Sequence, residues 1–351
     1  MRCFYAKSQE LHAPPTWLLR GKISESPEGP LRSDILRDVL AKENIDLIEP
    51  DSVEELVNKT RLIERLSQTH TSRYLHFLET IHERWMMLPG ASELVMPNTH
   101  PTSLGRQYPN HPVGQAGWHL GDMATPITAT SFAGILASAA TAEAAAEAVK
   151  QGNLSAYALC RPPGHHAGPE SAGGFCFLNN SALAATVLRE KYSKVAIVDV
   201  DLHHGNGTQD IFYHRADVWT GSLHAETKEF YPFFWGGSDE IGSGEGEGYN
   251  VNLPLPIGTG GQGFLDTLNQ LLDSMQSFQP EALVIALGLD AHKDDPLAGL
   301  ALETSDFHLI GKRLSALNLP TVVVQEGGYP TECLGNNLVA FLKGFTQNES
   351  K

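Results

Sequence analysis

The stretch that most constrains this chain is Val195-Ala-Ile-Val-Asp-Val-Asp-Leu-His-His-Gly-Asn-Gly207. It opens as a β-branched, apolar run and closes in Asp, His and Gly. A continuous apolar run suits a strand buried on both faces of a parallel sheet. Asp199, Asp201 and His203 follow at a spacing of two, and in an extended chain such positions share one side. The strand end therefore gathers two carboxylates and an imidazole. A core does not hold unpaired carboxylates cheaply, so positive charge belongs there. A divalent metal meets that need, and Asp-x-His suits zinc, which accepts N and O ligands.

The same strand-then-chemistry pattern recurs along the second half. Tyr157-Ala-Leu-Cys160 leads into Arg161-Pro-Pro-Gly-His-His-Ala167, Asp217–His224 is a strand ending in polar residues, Ala282–Gly288 runs to Asp290, and Thr321–Gln325 runs to Glu326-Gly-Gly-Tyr329. Helical periodicity is expected over 31–43, 52–66 (with a Ser52/Glu55 capping box), 71–87, 131–150, 178–191, 261–277, 304–317 and 335–346. The 131–150 helix is Ala-rich, with Glu143 and Glu147 read as its polar side. Residues 7–30 read as a long loop. Residues 88–130, rich in Pro, Gly and His, read as an insertion covering a site or a partner subunit. Strands alternating with helices predict an α/β fold, a mostly parallel sheet flanked by helices on both faces, in a single domain spanning 1–351.

Composition narrows the partners. Hydrophobic residues make up 41% of the chain, enough for a large core, and the formal net charge is −16. That balance argues against nucleic acid and anionic membrane surfaces and favours cationic small molecules. The four cysteines form no CxxC pair and read as reduced thiols of a cytoplasmic protein. The N-terminus lacks a secretory h-region. No apolar run reaches the roughly 18 residues that a membrane span requires.

Asp290 is the natural third ligand beside Asp201 and His203, although taken alone it also reads as a helix N-cap. Three protein ligands leave one position open, as in catalytic zinc sites. His165 and His166 are candidates for general acid–base work. Asp199 is placed to accept from a ring N–H of one of them, and Asn206 to serve the other as a neutral partner. Tyr329, after two glycines, is placed to aim a hydroxyl at a developing oxyanion. Gly173-Gly174-Phe175 and Phe230-Tyr231-Pro232 supply aromatic walls for a narrow apolar channel.

Six stretches together resemble the arginase–deacetylase superfamily, in its zinc-dependent histone deacetylase group, and most of all bacterial acetylpolyamine amidohydrolases. They are Leu159–Gly168, Gly173–Asn180, Asp199–Phe212, Ser222–His224, Leu287–Asp290 and Glu326–Tyr329. The resemblance implies the arginase–deacetylase fold and one zinc per subunit on Asp201, His203 and Asp290. It implies His165 and His166 as the catalytic pair, His166 being the base, and Tyr329 as the residue that polarises an acetyl carbonyl. Phe175, Gly174 and Tyr231 then line a substrate tunnel. It further implies structural potassium at Asp199, Asp201, His203, Ser222 and Leu223, with a second site at Phe212, Arg215, Val218 and Tyr249. The implied substrate is a small acetylated cationic amine, and the implied assembly a homodimer through residues 88–130. A protein or peptide acetyl-lysine deacetylase is the alternative. An arginase-like ureohydrolase would need a second set of bridging carboxylates, and none is seen. This chain departs from the family where Glu would be expected in the tunnel: it has Trp17, Val113 and Ala124. Asp122, nearby, is expected to compensate. Asn206 stands where many histone deacetylases carry Asp, and the bacterial acetylpolyamine branch shares the Asn.

Overall fold

Short runs, too short for core helices and in several cases rich in Val, Ile and Leu, form the strands that the sequence predicts. The computed structural model describes residues 1–53, 55–102 and 107–347. In chain order the elements are β1 (Arg2–Phe4), β2 (Thr16–Leu19), β3 (Lys22–Glu25), α1 (Pro30–Lys42), β4 (Leu47–Ile48), α2 (Leu56–Leu66), α3 (Ser72–Met86), α4 (Pro112–His119), α5 (Ser131–Lys150) and β5 (Ser155–Ala158). There follow α6 (Asn180–Arg189), β6 (Val195–Asp199), α7 (Asn206–Phe212), β7 (Val218–Ala225), β8 (Asn250–Leu255), α8 (Gly261–Met275), β9 (Ala282–Leu287), α9 (Thr304–Ser315), β10 (Thr321–Gln325) and α10 (Leu334–Thr346).

Eight strands pair in the order β4-β1-β5-β10-β9-β6-β7-β8, every ladder parallel. Alternate residues of each strand feed two cores. Val195 and Ile197 of β6 pack with α3, α5 and α6 on one face. Ala196 and Val198 pack with α1, α8, α9 and α10 on the other. Both faces are covered, which is why the strands read as unbroken apolar runs.

Several sequence expectations need correction. The 52–66 helix starts at Leu56, with Glu55 rather than Ser52 at its cap and no side-chain cap bond. Asn58 instead donates to the Ser52 carbonyl and the Glu55 carboxylate. Helix α5 is long and apolar enough to cross a bilayer, contrary to the sequence reading, but 78% of that stretch is buried within the fold. Nor is Glu143 on a solvent face: it is 3% exposed. It accepts from Arg65 at 2.6 Å and from Arg61 at 3.2 Å, tying α2 to α5. The 7–30 stretch is not a plain loop but contains the antiparallel β2–β3 hairpin.

The 88–130 stretch carries helix α4, which its weak periodicity hid; residues 103–106 lie outside the described residues. It is pinned to the body by His119, which is fully buried between the Tyr108 hydroxyl at 2.9 Å and the Glu170 carbonyl at 2.7 Å. Leu120 bridges Ala172 just beyond. This pinning delivers Asp122, Met123 and Ala124 to the rim of a cavity.

Candidate active and metal site

Strands β5, β10, β9 and β6 are neighbours in the sheet, and each runs parallel to the next. Their C-terminal ends therefore open at one place, where α/β sheets gather their chemistry. The segment after β5 supplies His165 and His166, that after β6 supplies Asp201 and His203, that after β9 Asp290, and that after β10 Tyr329. All six are buried, and all but Asp201 line one cavity of about 340 Å³.

Strand β6 stops at Asp199, so Asp201 and His203 project from the turns that follow rather than from the strand itself. Those turns are local Asx bonds: Asp199 accepts from the Asp201 amide at 3.0 Å, and Asp201 from the His203 amide at 2.9 Å. Nδ1 of His203 lies 3.2 Å from Asp201 Oδ1 and 3.1 Å from Asp290 Oδ2. Close backbone approach makes this possible. A Cβ on Gly327 would sit 2.1 Å from Asp290 Oδ2.

Asp201, His203 and Asp290 present ligand atoms all within 4.8 Å of one another, and neither carboxylate is exposed. Burial lowers the His203 pKa, but its hydrogen bonds to Asp201 and Asp290 outweigh that and hold it up at about 9. The two carboxylates draw positive charge to this point. Two oxygen donors and one nitrogen donor, with no thiol among them, fit a divalent ion of the zinc type.

The histidine pair divides into two electrostatic states. His165 bonds Asp199 Oδ2 through Nδ1 at 2.9 Å. Burial pushes its pKa down, and the carboxylates of Asp201 and Asp199 more than reverse that, to about 10. His166 bonds Asn206 Oδ1 through Nδ1 at 2.7 Å. Burial, then the charges of His165 and His203, hold it well below its ordinary value. Because an amide oxygen only accepts, His166 carries its proton on Nδ1, and Nε2 keeps a free lone pair. Thus His165 is the charged partner and His166 the neutral one.

Phe175, Tyr231, Gly174 and Trp17 also line the cavity. Trp17, on β2, lies 5.0 Å from Phe175 between ring centroids, and Phe175 lies 5.6 Å from Tyr329. The Tyr329 phenol is held far above its ordinary pKa, first by burial and then by Asp290, and stays protonated. Ala124 lines the cavity too, whereas Val113 on α4 is not among its lining residues. Asp122 is already bonded within the protein, to Gly174, Ala124 and Tyr231. Of the residues that the resemblance implies for potassium, Ser222 stands opposite Asp199 in the β6–β7 ladder, and its hydroxyl contacts His224 at 2.9 Å. Leu223 is buried beside it.

Some supporting residues escaped the sequence reading. Glu326 is fully buried and accepts from the Gly164 amide at 2.6 Å, the His165 amide at 3.0 Å and the Ser181 hydroxyl at 2.7 Å. It ties the Tyr329 loop to the histidine loop. Burial raises it to about 7, against the pull of His165. Arg32 on α1 is 1% exposed and donates to the backbone carbonyls of Glu326 and Gly328. Asp295 accepts from the Tyr329 amide at 3.0 Å. An acid next to a double glycine, and an Arg in an otherwise apolar helix face, were the available signals.

The sequence matches the Histone deacetylase domain family over residues 26–345. It is 40% identical to the acetylpolyamine amidohydrolase of Burkholderia pseudomallei (strain 1710b) over 349 residues, 98% of each chain. It is 38% identical to acetylpolyamine amidohydrolase 1 of Pseudomonas aeruginosa PAO1, covering 98% of this chain and 99% of that one. The crystal structure of the acetylpolyamine aminohydrolase from Burkholderia pseudomallei superposes with a TM-score of 0.91 at 40% identity, over 99% of both chains. Fold, converging site and near full-length likeness agree: this chain belongs to the histone deacetylase family.

Proposed function

We propose that this protein is a zinc-dependent amidohydrolase that removes acetyl groups from small acetylated cationic amines, acetylpolyamines or acetylated diamines. One observation carries the reading. A neutral histidine with a free Nε2, a buried tyrosine hydroxyl and a three-donor metal set meet along one narrow aromatic-walled cavity. Asp201, His203 and Asp290 would hold one zinc per subunit. When bound, zinc supplies Lewis acidity to the acetyl carbonyl and to the attacking water. His166 takes a proton from that water through Nε2 and returns it to the leaving amine. Asn206 fixes its tautomer without adding charge. His165, bonded through Nδ1 to Asp199, borders the same cavity and orients beside the negative charge that develops. Tyr329 donates to the oxyanion. Phe175 and Tyr231 exclude water and orient the chain of the substrate.

The named relatives support the acetylpolyamine branch over the acetyl-lysine alternative. The test is a comparison of kcat/KM for acetylputrescine, acetylcadaverine, acetylspermidine and acetyl-lysine peptides, with a chelator control. A strong preference for peptides would overturn the substrate assignment, and full activity after metal removal would overturn the mechanism.

The same proposal includes structural potassium. Asp199, Asp201, His203, Ser222 and Leu223 would hold one ion, largely through oxygen donors suited to a hard cation. Phe212, Arg215, Val218 and Tyr249 would hold a second. It also includes a single domain over 1–351, a cytoplasmic location and a homodimer built through residues 88–130, which light scattering on the purified protein would test.

A further inference from the structure

We propose that Asp122 is a positioning residue that clamps both aromatic walls of the tunnel, and that it does not receive the distal cation of the substrate. The proposal rests on the deacetylase reading for its catalytic consequence, and on geometry for the clamp itself. Asp122 Oδ2 accepts from the Gly174 amide at 2.9 Å and from the Tyr231 hydroxyl at 2.6 Å. Asp122 Oδ1 accepts from the Ala124 amide at 2.9 Å. A carboxylate offers about four lone-pair sites, and three are in use. An ammonium ion arriving here would have to displace bonds that shape the tunnel.

Those bonds hold something that does not hold itself. Gly174 has φ +51° and Phe175 φ +68°. A bulky side chain resists the left-handed region, so Phe175 stays there only while its surroundings demand it. The Gly174 amide, one peptide upstream, is bonded to Asp122. Phe175 in turn packs against Tyr329 at 5.6 Å and Trp17 at 5.0 Å. The second wall residue, Tyr231, stands edge-on to His166 at 5.0 Å and to His203 at 6.0 Å. One carboxylate thus joins the 88–130 stretch to the Gly174–Phe175 segment, to Tyr231 and, through them, to the groups proposed to meet the substrate.

The test uses the metal-loaded enzyme with two substrates of equal length. N-acetylcadaverine carries a distal ammonium, and N-hexylacetamide carries a methyl in its place. Asp122→Asn keeps the volume but offers one acceptor oxygen in place of two, so it cannot satisfy all three donors. We expect kcat/KM to fall by the same factor for both substrates, roughly tenfold to a hundredfold for walls displaced by up to an ångström. A loss confined to the cationic substrate would overturn the proposal and make Asp122 a cation acceptor. Unchanged kcat/KM on both, with lowered Tm, would also overturn it by leaving only a structural role. Thermal unfolding of Asp122→Asn, Tyr231→Phe and the double variant reads the clamp without turnover. The double variant should lose no more Tm than the more damaging single change, and additive losses would sink the clamp. Should Asp122→Asn fail to fold, Tyr231→Phe cuts the same bond from the other end, with the same equal loss expected on both substrates. Wild-type inactivity on every acetylated amine would instead refute the deacetylase reading, and the thermal cycle would still decide the clamp.

Discussion

In the proposed mechanism His166 and Tyr329 carry the residue-scale chemistry, and each makes a distinct prediction. Replacing Tyr329 by Phe removes one donor from the developing oxyanion while leaving the ring packed on Phe175. The expected cost is about 2–4 kcal/mol of transition-state stabilisation, read as kcat/KM at a fixed pH. Asn206→Asp tests the neutral partner of His166. A carboxylate in place of the amide, 2.7 Å from Nδ1, favours the imidazolium. The His166 pKa should rise, so the acidic limb of the kcat/KM profile should move to higher pH. An unmoved limb would remove His166 as the base.

At the scale of elements, His70 joins the α2–α3 corner to the histidine loop. Its Nδ1 contacts the Gly168 carbonyl and its Nε2 accepts the Asn179 amide, both at 2.9 Å, so the ring is neutral with its proton on Nδ1. Burial pushes its pKa down to about 4 from 6.5. The unfolded chain therefore binds the proton more readily between those values. The stability that His70 confers is complete above about pH 6.5 and is lost as pH falls towards about 4, by up to about 3 kcal/mol. Denaturant unfolding at a series of pH values should show that slope, and His70→Phe should flatten it while lowering stability overall. The Arg65 network gives a second element-scale outcome. Arg65 bonds Glu143, Glu147 and Glu190, joining α2, α5 and the end of α6. Removing one partner of a buried ion pair costs about 3–5 kcal/mol. Because Glu143 keeps Arg61, Arg65→Ala should fall near the lower end in a chemical melt.

For the molecule as a whole, the proposed metal would be a ligand of the folded state. Asp201, His203 and Asp290 come from segments after two different strands, and the unfolded chain does not hold them together. Binding at a thousandfold excess over Kd should stabilise the fold by about 4 kcal/mol. Stripping with a chelator should lower Tm and abolish turnover together, and zinc should restore both. Asp290→Ala should retain far less than one zinc per chain by elemental analysis.

Sequence alone determined a good deal, because the local rules that built these elements leave local traces. Burial on both sheet faces wrote the apolar runs of β6, β9 and β10. The end of each strand had to be followed by its polar residues, so Asp201, His203, Asp290, His165, His166 and Tyr329 were legible as candidates. Even the Asp199 and Asn206 partners could be read, since only short polar side chains near the pair were available. What the tertiary structure decided lies in contacts far apart in the chain. Glu326 reaches back across 162 positions to the Gly164 amide, and no periodicity encodes that. Glu143 sits on what looks like a polar stripe, yet Arg65 draws it inside. Asp122 looked like a free acid for a cation, but a carboxylate beside unpaired amide and hydroxyl donors bonds them first. Sequence determines which groups want a partner; only the packing of distant segments determines which partner arrives.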